Sequence, residues 1–327
     1  MNIVFVIGNG FDINLSLNTR YSDFYEVYKN TASKNDSIKK LKKNISKSIE
    51  NWSDLELALG QYTNEIKTKG EFIDVFEDIG DNLADYLLKE ESKLDISNID
   101  QEKLFKYLSY PENYLTKAQK DKITLFRETW HNMHWHINVI TLNYTNSFET
   151  IIKKPINELK IGDHHNAYIY YQGIQHLHGY MDNRMVLGVN DISQIKNESF
   201  HNMDEVLDAF VKNNCNIAMQ HDIDKICSEN IYRANLICIF GSSIGETDKL
   251  WWENIGTSLL GNCSLIIFEK RELIPDRRSY KKKEFREDIK NSFLNKTSLN
   301  EEQKKEVFDK IFVGINTKLF DGIQKKK

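Results

Sequence analysis

The chain opens with Gly8-Asn9-Gly10-Phe11-Asp12, two glycines and a carboxylate directly after an apolar run. Glycines at 8 and 10 let a backbone turn tightly and approach a ligand, because no Cβ stands in the way. A strand that ends in G-x-G beside a helix start is one way to hold a pyrophosphate. Asp12 can accept a hydrogen bond from a ribose hydroxyl, or cap the helix that follows. Arg20 offers a planar fork for phosphate, or simply a partner for Asp23.

Three further stretches have a similar character. Thr141-Leu142-Asn143-Tyr144-Thr145 ends another apolar run. Asn143 can donate and accept at once, which suits a water or a ribose; the same residues also make an ordinary polar turn. In a strand, His176 and His178 would share a face. That is half a metal site without a convincing third ligand, so no metal is expected. A single proton-accepting His178 beside Gly179 is the other reading. Gly241-Ser242-Ser243 follows a third apolar run, and its small hydroxyl residues suit phosphate or ribose. Asp248 reads as the entry to the next helix. A separate possibility is a magnesium-dependent nuclease built from Asp12, Asp54, Glu56, His178 and Asp191, since such sites need few carboxylates beyond phosphate.

These side chains need strands to position them. Residues 3–7, 138–142, 236–240 and 264–268 are short and apolar, as strands buried on both faces are. A fifth strand is expected over 168–177. Chemistry just past the C-terminal ends of parallel strands is the rule for open α/β sheets. Between the first two strands, 21–135 shows helical spacing at Leu55, Leu59 and Tyr62, at Phe72, Val75 and Phe76, and at Leu83, Tyr86 and Leu87. This segment reads as a helical insertion capping the sheet. Residues 200–233 read as a second helical region. Residues 271–327 read as a charged helical C-terminal segment, with Phe285, Ile289 and Phe293 at helical spacing and lysine clusters at 281–283 and 325–327. The expectation is one α/β domain over 1–327 with a Rossmann-like parallel sheet.

A net charge of -4 gives no general attraction to nucleic acid or membranes. The lysine clusters read as solvated faces, leaving only a minor nucleic-acid option. Four cysteines without C-x-x-C spacing argue against a zinc ribbon and against a disulfide framework, which fits a cytoplasmic protein. No stretch approaches the roughly 18 apolar residues needed to span a bilayer, so no membrane partner is expected.

The ordered set formed by the Gly8–Asp12 turn, Trp52-Ser53-Asp54-Leu55-Glu56, Asn143–Thr145, His176–Gly179 and Phe240–Ser243 resembles the AbiH family, bacterial proteins tied to abortive infection by bacteriophage. The same order is similar to a divergent sirtuin-type nucleotide fold, in which such loops surround NAD and some defence proteins hydrolyse it. By this resemblance Gly8, Gly10 and Asp12 would hold the cofactor, and Ser242 and Ser243 would line its adenosine side; the loop chemistry read above adds Asn9, Arg20, Thr141, Tyr144 and Gly241 to the expected nucleotide-binding set. Asn143 and His178 would sit at the reacting ribose. The deacetylase zinc cysteines and the G-I-P-x-F-R loop of sirtuins are missing, and residues 17–24 stand where that loop would be. The resemblance therefore implies NAD as substrate or ligand, with a non-catalytic sensor or scaffold as the alternative. Because an unrestrained NAD hydrolase would kill its own host, a phage-derived trigger or a defence-system partner protein is also expected, with room for a homo-oligomer.

Overall fold

A computed structural model describes residues 1–152, 159–273 and 275–324. Seven strands form one sheet: β1 (Asn2–Ile7), β2 (Trp135–Thr141), β3 (Leu159–His164), β4 (Ala167–His176), β5 (Leu236–Phe240), β6 (Ser264–Glu269) and β7 (Ile311–Ile315). Their order is β3-β4-β2-β1-β5-β6-β7. Every neighbouring pair is parallel except β3 with β4, an antiparallel hairpin at one edge.

β1 lies at the centre because it can be covered on both faces. Ile3, Phe5 and Ile7 point into one apolar cluster, and Val4 and Val6 point into another across the sheet. That is the two-sided burial that a continuous apolar strand requires. From β1 the chain first builds outward through β2 and β4, then returns to β1's other flank with β5. Strand order thus reverses between β1 and β5, where open α/β sheets leave a crevice at their carboxyl ends.

The helical insertion divides into two parts by its packing. The helices Tyr21–Tyr28, Asp36–Lys47, Leu55–Tyr62 and Lys69–Glu91 share a core of their own with Leu187, Val189, Phe200 and Phe210. The helices Gln101–Ser109 and Lys117–Arg127 instead place Leu104, Phe105, Leu108 and Ile123 on the sheet. Between these parts, helix Lys69–Glu91 ends against the sheet's loops. Glu90 accepts from the Asn18 amide at 3.2 Å, and Glu91 accepts from the Asn146 amide at 2.7 Å.

The segment 200–233 is helical, in short pieces that include Asp204–Phe210, Lys212–Ala218 and Ile223–Tyr232. The segment after 271 contains the helices Lys281–Leu294 and Glu301–Val307, and then adds β7 to the sheet. The lysines at 325–327 lie outside the described residues. Among the described residues, no helix is long and apolar enough to cross a membrane.

Candidate functional site

A cavity of about 800 Å³ opens over the carboxyl ends of the central strands. That volume lies within the ordinary range for ligand pockets. Its floor is made by Gly8, Asn9 and Gly10 after β1, Asn143 after β2, and Gly241, Ser242 and Ser243 after β5. His178 enters from beyond β4, and Arg20 with the insertion residues Tyr21, Tyr25, Trp52, Asp54 and Glu56 closes over the top.

The glycines serve loop packing first. A Cβ on Gly8 would lie 2.7 Å from the Gly241 carbonyl oxygen. Gly8 N–H donates to the Phe240 carbonyl at 2.9 Å, and Gly10 N–H to the Gly241 carbonyl at 2.8 Å. Two of the amides in the first turn are therefore spent on the neighbouring loop. The helix that follows is only five residues long, Gly10–Asn14. Gly241 adopts φ +70°, a backbone state that glycine tolerates best.

Three residues named from the sequence stand behind the cavity wall. Asp12 is buried and accepts from Thr145 Oγ1 at 2.6 Å and from Ser147 Oγ, which fastens the loop after β2 to the loop after β1. Burial raises its carboxyl above the ordinary range, although Ser147 and Thr145 oppose this. Thr141 Oγ1 accepts from the Asn143 amide at 3.1 Å. Tyr144 is buried with its hydroxyl 3.3 Å from Glu56 Oε1 and 3.1 Å from the Val186 carbonyl. These three hold the loops, and none of them lines the cavity. Arg20 does line it, and its contact with Asp23 is a loose 3.8 Å.

Asn143 is anchored on three sides. Its side-chain amide donates to the Gly8 carbonyl at 3.3 Å, and its own carbonyl lies 3.1 Å from His176 Nδ1. The other nitrogen of His176 lies 2.6 Å from Glu149. β4 ends at His176, so strand alternation does not carry on to His178, and the two histidines face different carboxylates. His176 positions the Asn143 loop, while His178 faces the cavity.

His178 is 4 % exposed, and its Nε2 lies 3.0 Å from Asp248 Oδ1. The two atoms are close, but the geometry misses the alignment of a hydrogen bond. Asp248 also receives Lys212 Nζ at 2.7 Å. Lys212 Nζ further contacts Glu56 Oε2 at 2.9 Å and the Thr247 carbonyl at 3.0 Å. Three acceptors satisfy the three donors of one buried ammonium. Burial alone would raise the Asp248 carboxyl, but Lys212 and then His178 outweigh it and hold it below the ordinary range. For Lys212, burial pulls the ammonium down, and Asp248 with Glu56 more than restores it. Asp54 caps the helix Leu55–Tyr62 by accepting from the Leu57 amide at 3.0 Å. Burial and the neighbouring Glu56 raise its carboxyl.

The five residues considered for a nuclease metal do not come together. Asp12 is held by hydroxyls, Glu56 by Lys212, and Asp191 by the Ser193 amide at 2.9 Å and the Asn190 amide group at 3.0 Å. Among the described residues, no group of three or more His, Cys, Asp or Glu is placed to hold a metal ion. A lysine ammonium occupies the centre of the carboxylates at 56 and 248. Sequence reading missed Lys212 altogether and assigned Asp248 only to a helix start. No local signal marks either role, because their partners come from distant segments.

No curated protein gives a significant match to this chain. The family model described as "Bacteriophage abortive infection AbiH" matches residues 4–269, a span that runs from β1 to the end of β6 and takes in every cavity loop named above. The chain belongs to the AbiH family.

Proposed function

We propose that this chain acts in abortive infection by binding NAD or a related nucleotide in the cavity and hydrolysing its nicotinamide–ribose bond. Membership of the AbiH family points to defence against bacteriophage. The chemical part rests on one observation: Asn143 and His178 face a single cavity at the strand ends, together with the loops at 8–10 and 241–243.

In this reaction the glycosidic C–N bond breaks, and its electron pair leaves with nicotinamide as a neutral base. The ribose passes through an oxocarbenium-like state, as in glycoside cleavage. Water then bonds to the anomeric carbon and gives up a proton, which His178 accepts. Asn143 orients that water or a ribose hydroxyl. Ser242 Oγ accepts from the Ile244 amide at 3.1 Å and retains a hydrogen to donate to ligand. A buried general base in hydrogen-bond reach typically contributes ~10²–10⁴-fold.

An enzyme that empties NAD without restraint would kill its own host, so the resting protein waits for a phage trigger or a partner protein. The test is a nucleotide measurement on infected cells that express wild type, His178→Ala or Asn143→Ala. NAD should collapse after infection in wild type and hold steady in both variants. Phage protection with steady NAD in wild type rules the reading out.

A further inference from the structure

Lys212 touches no surface that a ligand reaches, yet it joins three separate parts of the fold. Its ammonium binds Glu56 from the insertion, the Thr247 carbonyl, and Asp248 from the loop beyond β5. Asp248 in turn lies against His178. Lys212 is 8 % exposed, and the side chains of Glu56 and Asp248 are 6 % and 12 % exposed. Glu56 is tied from its other oxygen to the Tyr144 hydroxyl at 3.3 Å and the Gly188 amide at 3.4 Å.

We propose that Lys212 is a positioning residue that pins Asp248 against His178 and couples both to the insertion through Glu56. This deepens the hydrolase reading and, for its effect on turnover, rests on it. The argument is one of valence. Asp248 Oδ1 is shared by Lys212 and His178, so the ammonium fixes where that oxygen stands beside the imidazole. Asp248 sits at the start of the helix Lys249–Leu259, but its side chain makes no cap there to hold it otherwise. A lysine is suited to this place because its three donors radiate from one compact atom. An arginine fork would spread them in a plane and move the carboxylates apart.

A purely charge-balancing lysine makes a different prediction from a pin. Lys212→Met leaves two buried carboxylates with one histidine, and such a variant can fail to fold. The double variant Lys212→Met/Glu56→Gln removes one charge of each sign and restores the balance. The double variant should recover the melting temperature lost in Lys212→Met, yet keep kcat at least tenfold below wild type. Recovery of wild-type kcat in the double variant overturns the pin.

A second readout does not depend on turnover. The imidazole nitrogen resonances of His178, assigned by their loss in His178→Ala, should shift in the folded, ligand-free double variant. Unshifted resonances overturn the pin whatever nucleotide the protein uses. A wild type that neither binds nor consumes NAD overturns the hydrolase reading, while unshifted resonances would still overturn the pin independently of it.

Discussion

Gly10 and Gly241 meet backbone to backbone: a Cβ on Gly10 would stand 2.5 Å from the Gly241 Cα, and one on Gly241 would stand 2.7 Å from the Gly10 Cα. The contact ties the loop after β1 to the loop after β5, the two strands between which the strand order reverses. It also explains the glycines without any ligand.

Gly10→Ala should therefore loosen the fold as well as the cavity. Both colliding groups are backbone, which has no rotamer to yield. An overpacked site of this kind costs typically ~1–3 kcal/mol. Gly241→Ala should cost more, since φ +70° strains an alanine on top of the clash. Denaturant unfolding checks both, and a Gly10→Ala protein of unchanged midpoint would contradict the packing account.

Asp12 and Asp248 should shape acid stability in opposite senses. The Asp248 carboxyl is held below the ordinary aspartate value of 3.8, so its stabilisation is complete above that value and is lost as pH falls below it. Asp12 is raised above 3.8, so it favours the fold at lower pH, and that contribution is lost as pH rises through its folded value. Asp248→Asn should flatten the loss of stability below pH 3.8. Asp12→Asn should remove a decline that sets in above it. Melting temperatures from pH 2 to 6 for the two variants would separate these contributions, and matching profiles would refute them.

Arg127 should matter for stability and leave the cavity untouched. At the opposite end of the sheet it pairs with buried Glu112, donates to the Ser109 carbonyl at 2.7 Å, and lies 3.9 Å from the Trp135 ring centre. Arg127→Leu strands the Glu112 carboxylate in the interior, a change worth ~3–5 kcal/mol in comparable buried pairs. The double variant Arg127→Leu/Glu112→Leu should recover much of that loss. Affinity for the proposed nucleotide, measured by calorimetry on whichever variants remain folded, should stay within threefold of wild type.

The central strands were legible because they are buried on both faces. The apolar runs at 236–240 and 264–268 match β5 and β6 to within a residue. β2 starts three residues before the apolar run suggested, since Trp135-His136-Ile137 alternates at the end of a helical stretch. The edge strands β3 and β7 escaped notice. Leu159-Lys160-Ile161-Gly162-Asp163-His164 is mixed in polarity because an edge is covered on fewer sides. Ile311–Ile315 is brief and sits in a charged neighbourhood. At the cavity, glycine and asparagine turns announced themselves through strand ends. Lys212 did not, because a lysine's burial depends on Glu56, 156 residues away, and on Asp248, 36 residues away.

The helix Lys69–Glu91 gives the insertion a mechanical reach. At 1.5 Å per residue its 23 residues make a rod of about 35 Å. At its start Lys69 pairs with Glu205 at the surface. At its finish Glu90 and Glu91 grip the amides of Asn18 and Asn146, and Tyr86 donates to the Asn18 carbonyl at 2.6 Å. The rod thus runs unbroken from that surface pair to the loops after β1 and β2. The surface at that far tip and the ground on which Asn143 stands are therefore joined by one continuous helix.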